Sequence, residues 1–88
     1  MSTLHVVFSA ELPEALSRCW ADGDALLLAG PCVLLAMHSA TLPSPCFALS
    51  DSVQSRGLTA HWPEHIACIT HHQWLELLAT HRRSLSWS

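Results

Sequence analysis

A three-layer α/β/α domain around a mainly parallel sheet of four to five strands is predicted from three observations. Short apolar runs recur along the 88-residue chain, and a helix-start signal follows each of them. One run, Ala25-Leu26-Leu27-Leu28-Ala29, is continuously apolar, as a strand covered on both faces requires. The length suits one domain, assigned to residues 1–88.

The elements follow in order. Thr3-Leu4-His5-Val6-Val7-Phe8 is apolar and β-branched and predicts the first strand. Ser9 is an N-cap candidate, with Glu11, Pro13 and Glu14 suiting the first turn of a helix. Leu12, Ala15, Leu16, Cys19 and Trp20 recur at helical spacing as its apolar face. Asp22-Gly23-Asp24 ends that helix before the second strand at 25–29. Gly30-Pro31 turns the chain, and Pro31 suits the first position of a helix running to about Thr41. Leu42-Pro43-Ser44-Pro45 is a loop before a third strand, Cys46-Phe47-Ala48-Leu49. Ser50-Asp51 caps a helix that Gly57 ends. After the loop at 61–64, Ile66-Ala67-Cys68-Ile69 is a fourth strand, and Thr70 caps a last helix to about His81. Leu85-Ser86-Trp87 supplies a short fifth strand. Crossovers are expected to be right-handed.

Half of the residues are hydrophobic and only 12% are charged, against roughly 25% charged in soluble domains. A chain this small buries only about 60–65% of its unfolded surface. Part of the apolar surface is therefore expected to face a partner. A membrane is not that partner: the longest apolar candidate, 25–37, is interrupted by Gly30 and Pro31 and falls short of the roughly 18–20 residues a span needs. Lysine is absent and the net charge is -3, which excludes a stand-alone grip on nucleic acid. No basic segment precedes an apolar stretch near Met1, so no signal peptide is expected. Cysteines at 19, 32, 46 and 68 then predict reduced thiols in a cytoplasm. They form no C-x-x-C pair, which argues against a zinc ribbon or thioredoxin-type site, and no cofactor is expected.

Phe47-Ala48-Leu49-Ser50-Asp51-Ser52-Val53-Gln54-Ser55-Arg56-Gly57-Leu58 resembles the strand–acid–helix–R-G-L segment of the TusB/DsrH family. Leu4-His5, Gly23-Asp24 before an apolar strand, His81 near the end of the last helix, and the closing Ser86-Trp87 are similar to that family's pattern as well. The resemblance spans essentially the whole chain. It implies the DsrE/F/H-like fold and work inside a hetero-oligomer with TusC-type and TusD-type sister subunits. Such a complex relays persulfide sulfur for 2-thiouridine formation at the tRNA wobble position, and tRNA is met only through the complex. The related DsrH-type complex serves dissimilatory sulfur oxidation. The main sulfur-carrying cysteine of the family belongs to the TusD-type subunit, so this chain is expected to be an accessory, non-catalytic subunit. Isolated from partners, it can self-associate through the same face.

Two cysteines are candidates for chemistry of their own, because a thiolate can accept sulfane sulfur. Cys19 lies in the predicted first helix, where the resemblance places a DsrH-type cysteine. Its apolar neighbours give it the alternative of a small core residue. Cys32 follows Gly30-Pro31 at the carboxyl end of a strand, where α/β sheets gather ligands and a helix start favours a thiolate. Burial is its alternative. Cys46 and Cys68, inside apolar strands, are expected in the core. A stand-alone sulfurtransferase using Cys32 or Cys19 is the first rival function, and a small homo-oligomeric binding domain the second.

His61, His65, His71 and His72 are close in sequence but poorly spaced for a metal, so they read as solvated or interface residues. Trp20 and Trp74 fit helix core faces. Trp62 and Trp87 are the interface candidates. Arg82 and Arg83 read as a solvated chain end.

Overall fold

The computed structural model describes residues 2–38, 42–43 and 45–87 of the chain. Five strands form one parallel sheet in the order β4-β3-β2-β1-β5. They are β1 (Thr3–Val7), β2 (Ala25–Leu28), β3 (Cys46–Leu49), β4 (Ala67–Ile69) and β5 (Arg83–Trp87). The helices between them are α1 (Glu14–Cys19), α2 (Leu35–His38), α3 (Ser50–Ser55) and α4 (His71–Thr80). The α/β/α class is as the sequence predicts, and the fifth strand is present and longer than expected.

The strand order explains the layers. Three successive crossovers step from β1 to β4 in one direction, and the last returns across the sheet to β5 beside β1. If every crossover is right-handed, the first three helices lie on one face and α4 on the other. The packing agrees. One core cluster joins Val7, Leu26, Leu28 and Ala48 of the sheet to Leu16, Val33, Ala36 and Val53 of the first three crossovers. The second joins Leu4, Val6, Leu27 and Leu49 to Trp74 and Leu77 of α4. β2, in the middle, is buried at every position, which is why its sequence is continuously apolar.

Several local expectations are corrected. Ser9 does not cap α1; its hydroxyl donates to the Glu11 carbonyl, and the helix starts only after Pro13. A six-residue helix buries one residue, Leu16. The segment after Gly30 is a 3₁₀ helix, Gly30–Leu34, that runs into the short α2. The expected continuation to Thr41 lies outside the described residues. The start of α4 is as predicted: Thr70 Oγ1 accepts from the Gln73 N–H at 3.1 Å while Gln73 Oε1 accepts from the Thr70 N–H at 2.9 Å, a capping box. Gly57 follows α3 at φ +66°, a left-handed backbone that glycine adopts without steric penalty.

Among the described residues, no helix is long and apolar enough to cross a membrane.

Candidate functional site

A histidine in the middle of an apolar strand and an aspartate at the head of another both need partners once buried. Here they supply each other. His5 on β1 is 0% exposed and Asp24, in the turn before β2, is 2% exposed. His5 Nε2 lies 2.9 Å from Asp24 Oδ2. Asp24 also accepts the Thr3 N–H at Oδ1 (2.9 Å) and the Ala21 N–H at Oδ2 (3.0 Å). Burial alone pushes this carboxyl upward, but the His5 ring and the two backbone donors outweigh it and hold it below the ordinary 3.8. Asp24 is therefore an ionised acceptor.

Strand alternation puts His5 on the Val7 side of β1, the side of the first three helices. Two indoles flank its ring there. Trp20, just past α1, stacks at 5.2 Å and 22°. Trp87, from the last strand, stacks at 6.1 Å and 29° and directs its Nε1–H at His5 Nδ1 over 3.2 Å. Indole N–H only donates, so His5 Nδ1 must carry a lone pair. His5 is thus the neutral Nε2–H tautomer, donating to Asp24 and accepting from Trp87. Three dispersed sequence pairs, Leu4-His5, Gly23-Asp24 and Ser86-Trp87, converge on this one buried chain of hydrogen bonds.

His81 is also placed by the backbone: its Nδ1–H donates to the Leu77 carbonyl at 2.7 Å and closes the end of α4. The Arg82 and Arg83 N–H groups then bond the Ser2 carbonyl, and Arg83 Nε donates to Thr3 Oγ1 at 3.0 Å. The residues after α4 are thereby tied to β1, although the side chains of Arg82 and Arg83 remain exposed.

The thiols fall into two classes. Cys32 does stand at the carboxyl end of β2, but it is 0% exposed and its thiol is pushed up to about 11 by burial. The helix-start effect expected there is weak because the segment is a 3₁₀ turn. Cys46 is half-buried and pushed up to about 12, by burial and by the neighbouring Cys32. Cys19 and Cys68 are exposed, which sets aside the core alternative for Cys19 and corrects the core expectation for Cys68. Cys19 is the last residue of α1, one turn beyond Leu16, and is left open to solvent there. Cys68 sits on β4, which is an edge strand, and lines a cavity of about 200 Å³ with Val53, Gln54 and Trp62. Alkylation of the native protein is expected to label Cys19 and Cys68 first. Cys32 and Cys46 should stay protected up to about pH 10, since the thiolate is the reacting form. Peptide mass spectrometry after a timed pulse checks the order, and early labelling of Cys32 contradicts it.

Trp62 and Trp87 are both half-buried and packed on the chain's own first cluster. The Trp62 indole N–H donates to the Ile66 carbonyl at 2.7 Å. Each indole is thus already engaged within the chain. His61, His65, His71 and His72 are exposed, and His71 and His72 face Asp51 (3.3 Å) and Glu76 (3.6 Å). Among the described residues, no three His, Cys, Asp or Glu side chains gather closely enough to hold a metal ion.

Residues 7–84 match a family model described as DsrH like protein. A curated relative, Protein TusB of Serratia proteamaculans (strain 568), is 36% identical over 84 residues, covering 88% of this chain and 87% of the relative. The family match includes Asp24 and leaves His5 and Trp87 just outside it.

Proposed function

The chain belongs to the DsrH-like family, and on that premise we propose that it is an accessory subunit of a TusBCD-type sulfur relay in the cytoplasm, passing persulfide sulfur for 2-thiouridine formation at the tRNA wobble position. The observation that carries this reading is the likeness to a protein named TusB along most of both chains. In the transfer, a thiolate of a sister subunit attacks the outer sulfur of a donor persulfide. The donor's S–S bond breaks, its inner sulfur leaves as a thiolate, and the acceptor gains the outer sulfur as a new persulfide; no net oxidation occurs.

The state of the thiols supports an accessory part. Cys32 and Cys46 are protected and hard to ionise. Cys19 is accessible and stands alone at the end of α1. Exposed Leu75 (64%), Leu78, Phe8 and Leu34 leave apolar surface of the kind a sister subunit covers. The partners are TusC-type and TusD-type subunits, and the chain meets tRNA only through them. The exposed edges of Trp62 and Trp87 are the interface residues proposed for that assembly.

The test is co-expression with TusC-type and TusD-type subunits, followed by persulfide donation and mass spectrometry of each chain. A stable hetero-complex is expected, with the added sulfur on a TusD-type cysteine and none on Cys32 or Cys46. Sulfur on Cys19 would give this chain a relay step of its own. A homo-oligomer that ignores both partners would end the accessory reading.

A further inference from the structure

The hydrogen-bond chain through His5 has one link that a proton must break. Neutral His5 offers one donor and one acceptor, and both are used: Nε2–H to Asp24 and Nδ1 from the Trp87 indole. The imidazolium has two donors and no acceptor. On protonation, Nδ1–H and the indole N–H would point at each other over 3.2 Å. We infer that His5 and Trp87 form a proton-sensitive latch: the indole seats on the neutral ring, and protonation of His5 at Nδ1 unseats Trp87 and loosens the β5 edge of the sheet.

The surroundings decide which partner yields. Asp24, from the turn after α1, is anchored by two backbone donors and faces the Nε2 side as a carboxylate. It stabilises the imidazolium and stays in place. Trp20 lies over the ring without a hydrogen bond to it, and a cation against its face is tolerated. On β5, Arg83 lies two residues before Leu85, which pairs with His5, and is held by Thr3 Oγ1. Arg18 and Asp22, on α1 and its exit turn, are exposed. Within β1 no neighbour of His5 titrates. Trp87 is the remaining contact, half-buried, at the end of an edge strand. It is the one partner whose hydrogen bond to His5 the added proton removes, so the charge on His5 is accommodated by turning the indole out. Trp87 is the last described residue of β5, opposite Val7, and its carbonyl accepts the Phe8 N–H at 2.9 Å, so turning the indole out strips side-chain packing from this end of β5 and leaves the β1–β2 pairing untouched.

Nuclear magnetic resonance on the intact, isotope-labelled protein tests this with two probes in one sample. His5 ring signals report proton uptake, and the Trp87 indole N–H, assigned through Trp87→Phe, reports the latch. The Trp87 indole is expected to lose its hydrogen-bonded position with the same midpoint as His5. Its exchange with solvent, corrected for the intrinsic pH dependence, should rise about five- to tenfold, the loss of one hydrogen bond. Trp62 and Trp74 should not follow. In His5→Gln, whose amide keeps a donor and an acceptor but takes up no proton, the transition should vanish. The inference is overturned if Trp87 keeps its bond while His5 titrates, or if His5 stays neutral until the whole chain unfolds. Persistence of the transition in a folded His5→Gln overturns it equally; should that variant not fold, the coincidence of the two wild-type midpoints decides.

Discussion

Replacing Asp24 with alanine is expected to destabilise the protein by about 3–5 kcal/mol at neutral pH. The carboxylate accepts from His5 Nε2 and from the Thr3 and Ala21 N–H groups. Alanine leaves all of these donors in a site that is almost fully enclosed. Each buried unsatisfied donor costs about 1–3 kcal/mol, and some relaxation of the turn at 21–24 keeps the sum below the upper limit. A domain of this length is stable by roughly 4–13 kcal/mol. The variant therefore sits at the edge of folding. Urea unfolding of wild type and variant side by side gives the number, and a difference under about 1 kcal/mol would mean the network is solvated.

The same substitution has a pH signature. The folded carboxyl titrates below its ordinary 3.8, so the unfolded chain takes up the proton first as pH falls. The stabilisation is fully present above that ordinary value and is lost as pH drops through the folded one. The gap between Asp24→Ala and wild type should thus narrow below about pH 4. A gap that does not narrow below about pH 4 would mean that the Asp24 carboxylate does not carry the stabilisation.

The fold was legible where one physical rule acted alone. The run at 25–29 suited a strand covered on both faces, and Thr70 marked the start of the last helix. Legibility failed where neighbours decide. Cys19 obeys helical spacing after Leu16 and Leu12, but a helix of six residues has too little length to bury a second position. Cys68 lies in an apolar run indistinguishable from that of β3, yet its strand is at the sheet's edge, a fact of topology that no local pattern carries. For the site, the residues were visible as pairs but their meeting was not. Gly23-Asp24 and Leu4-His5 are nineteen positions apart, and Trp87 reaches His5 only because the last crossover returns to β1. The available signal was a polar residue in each of two apolar contexts, which asks for a buried partner without naming it.

Leu27→Ala should be as damaging as Asp24→Ala and differ from it in kind. Leu27 is 0% exposed at the centre of the sheet, between Val6 on β1 and Phe47 on β3, on the face that α4 alone covers. Removing its isobutyl group loses transfer free energy and leaves a cavity, together about 3–5 kcal/mol at a site that cannot collapse. Strands on both sides hold the backbone, so little relaxation is available. No titratable group of the His5 network belongs to this second cluster, so the loss should be independent of pH from neutrality to about pH 3, where that of Asp24→Ala shrinks. Urea midpoints of both variants across that range separate packing from the polar network. Parallel curves would mean that the two faces of the sheet are coupled through β1, the strand that carries His5 on one side and Leu4 and Val6 on the other.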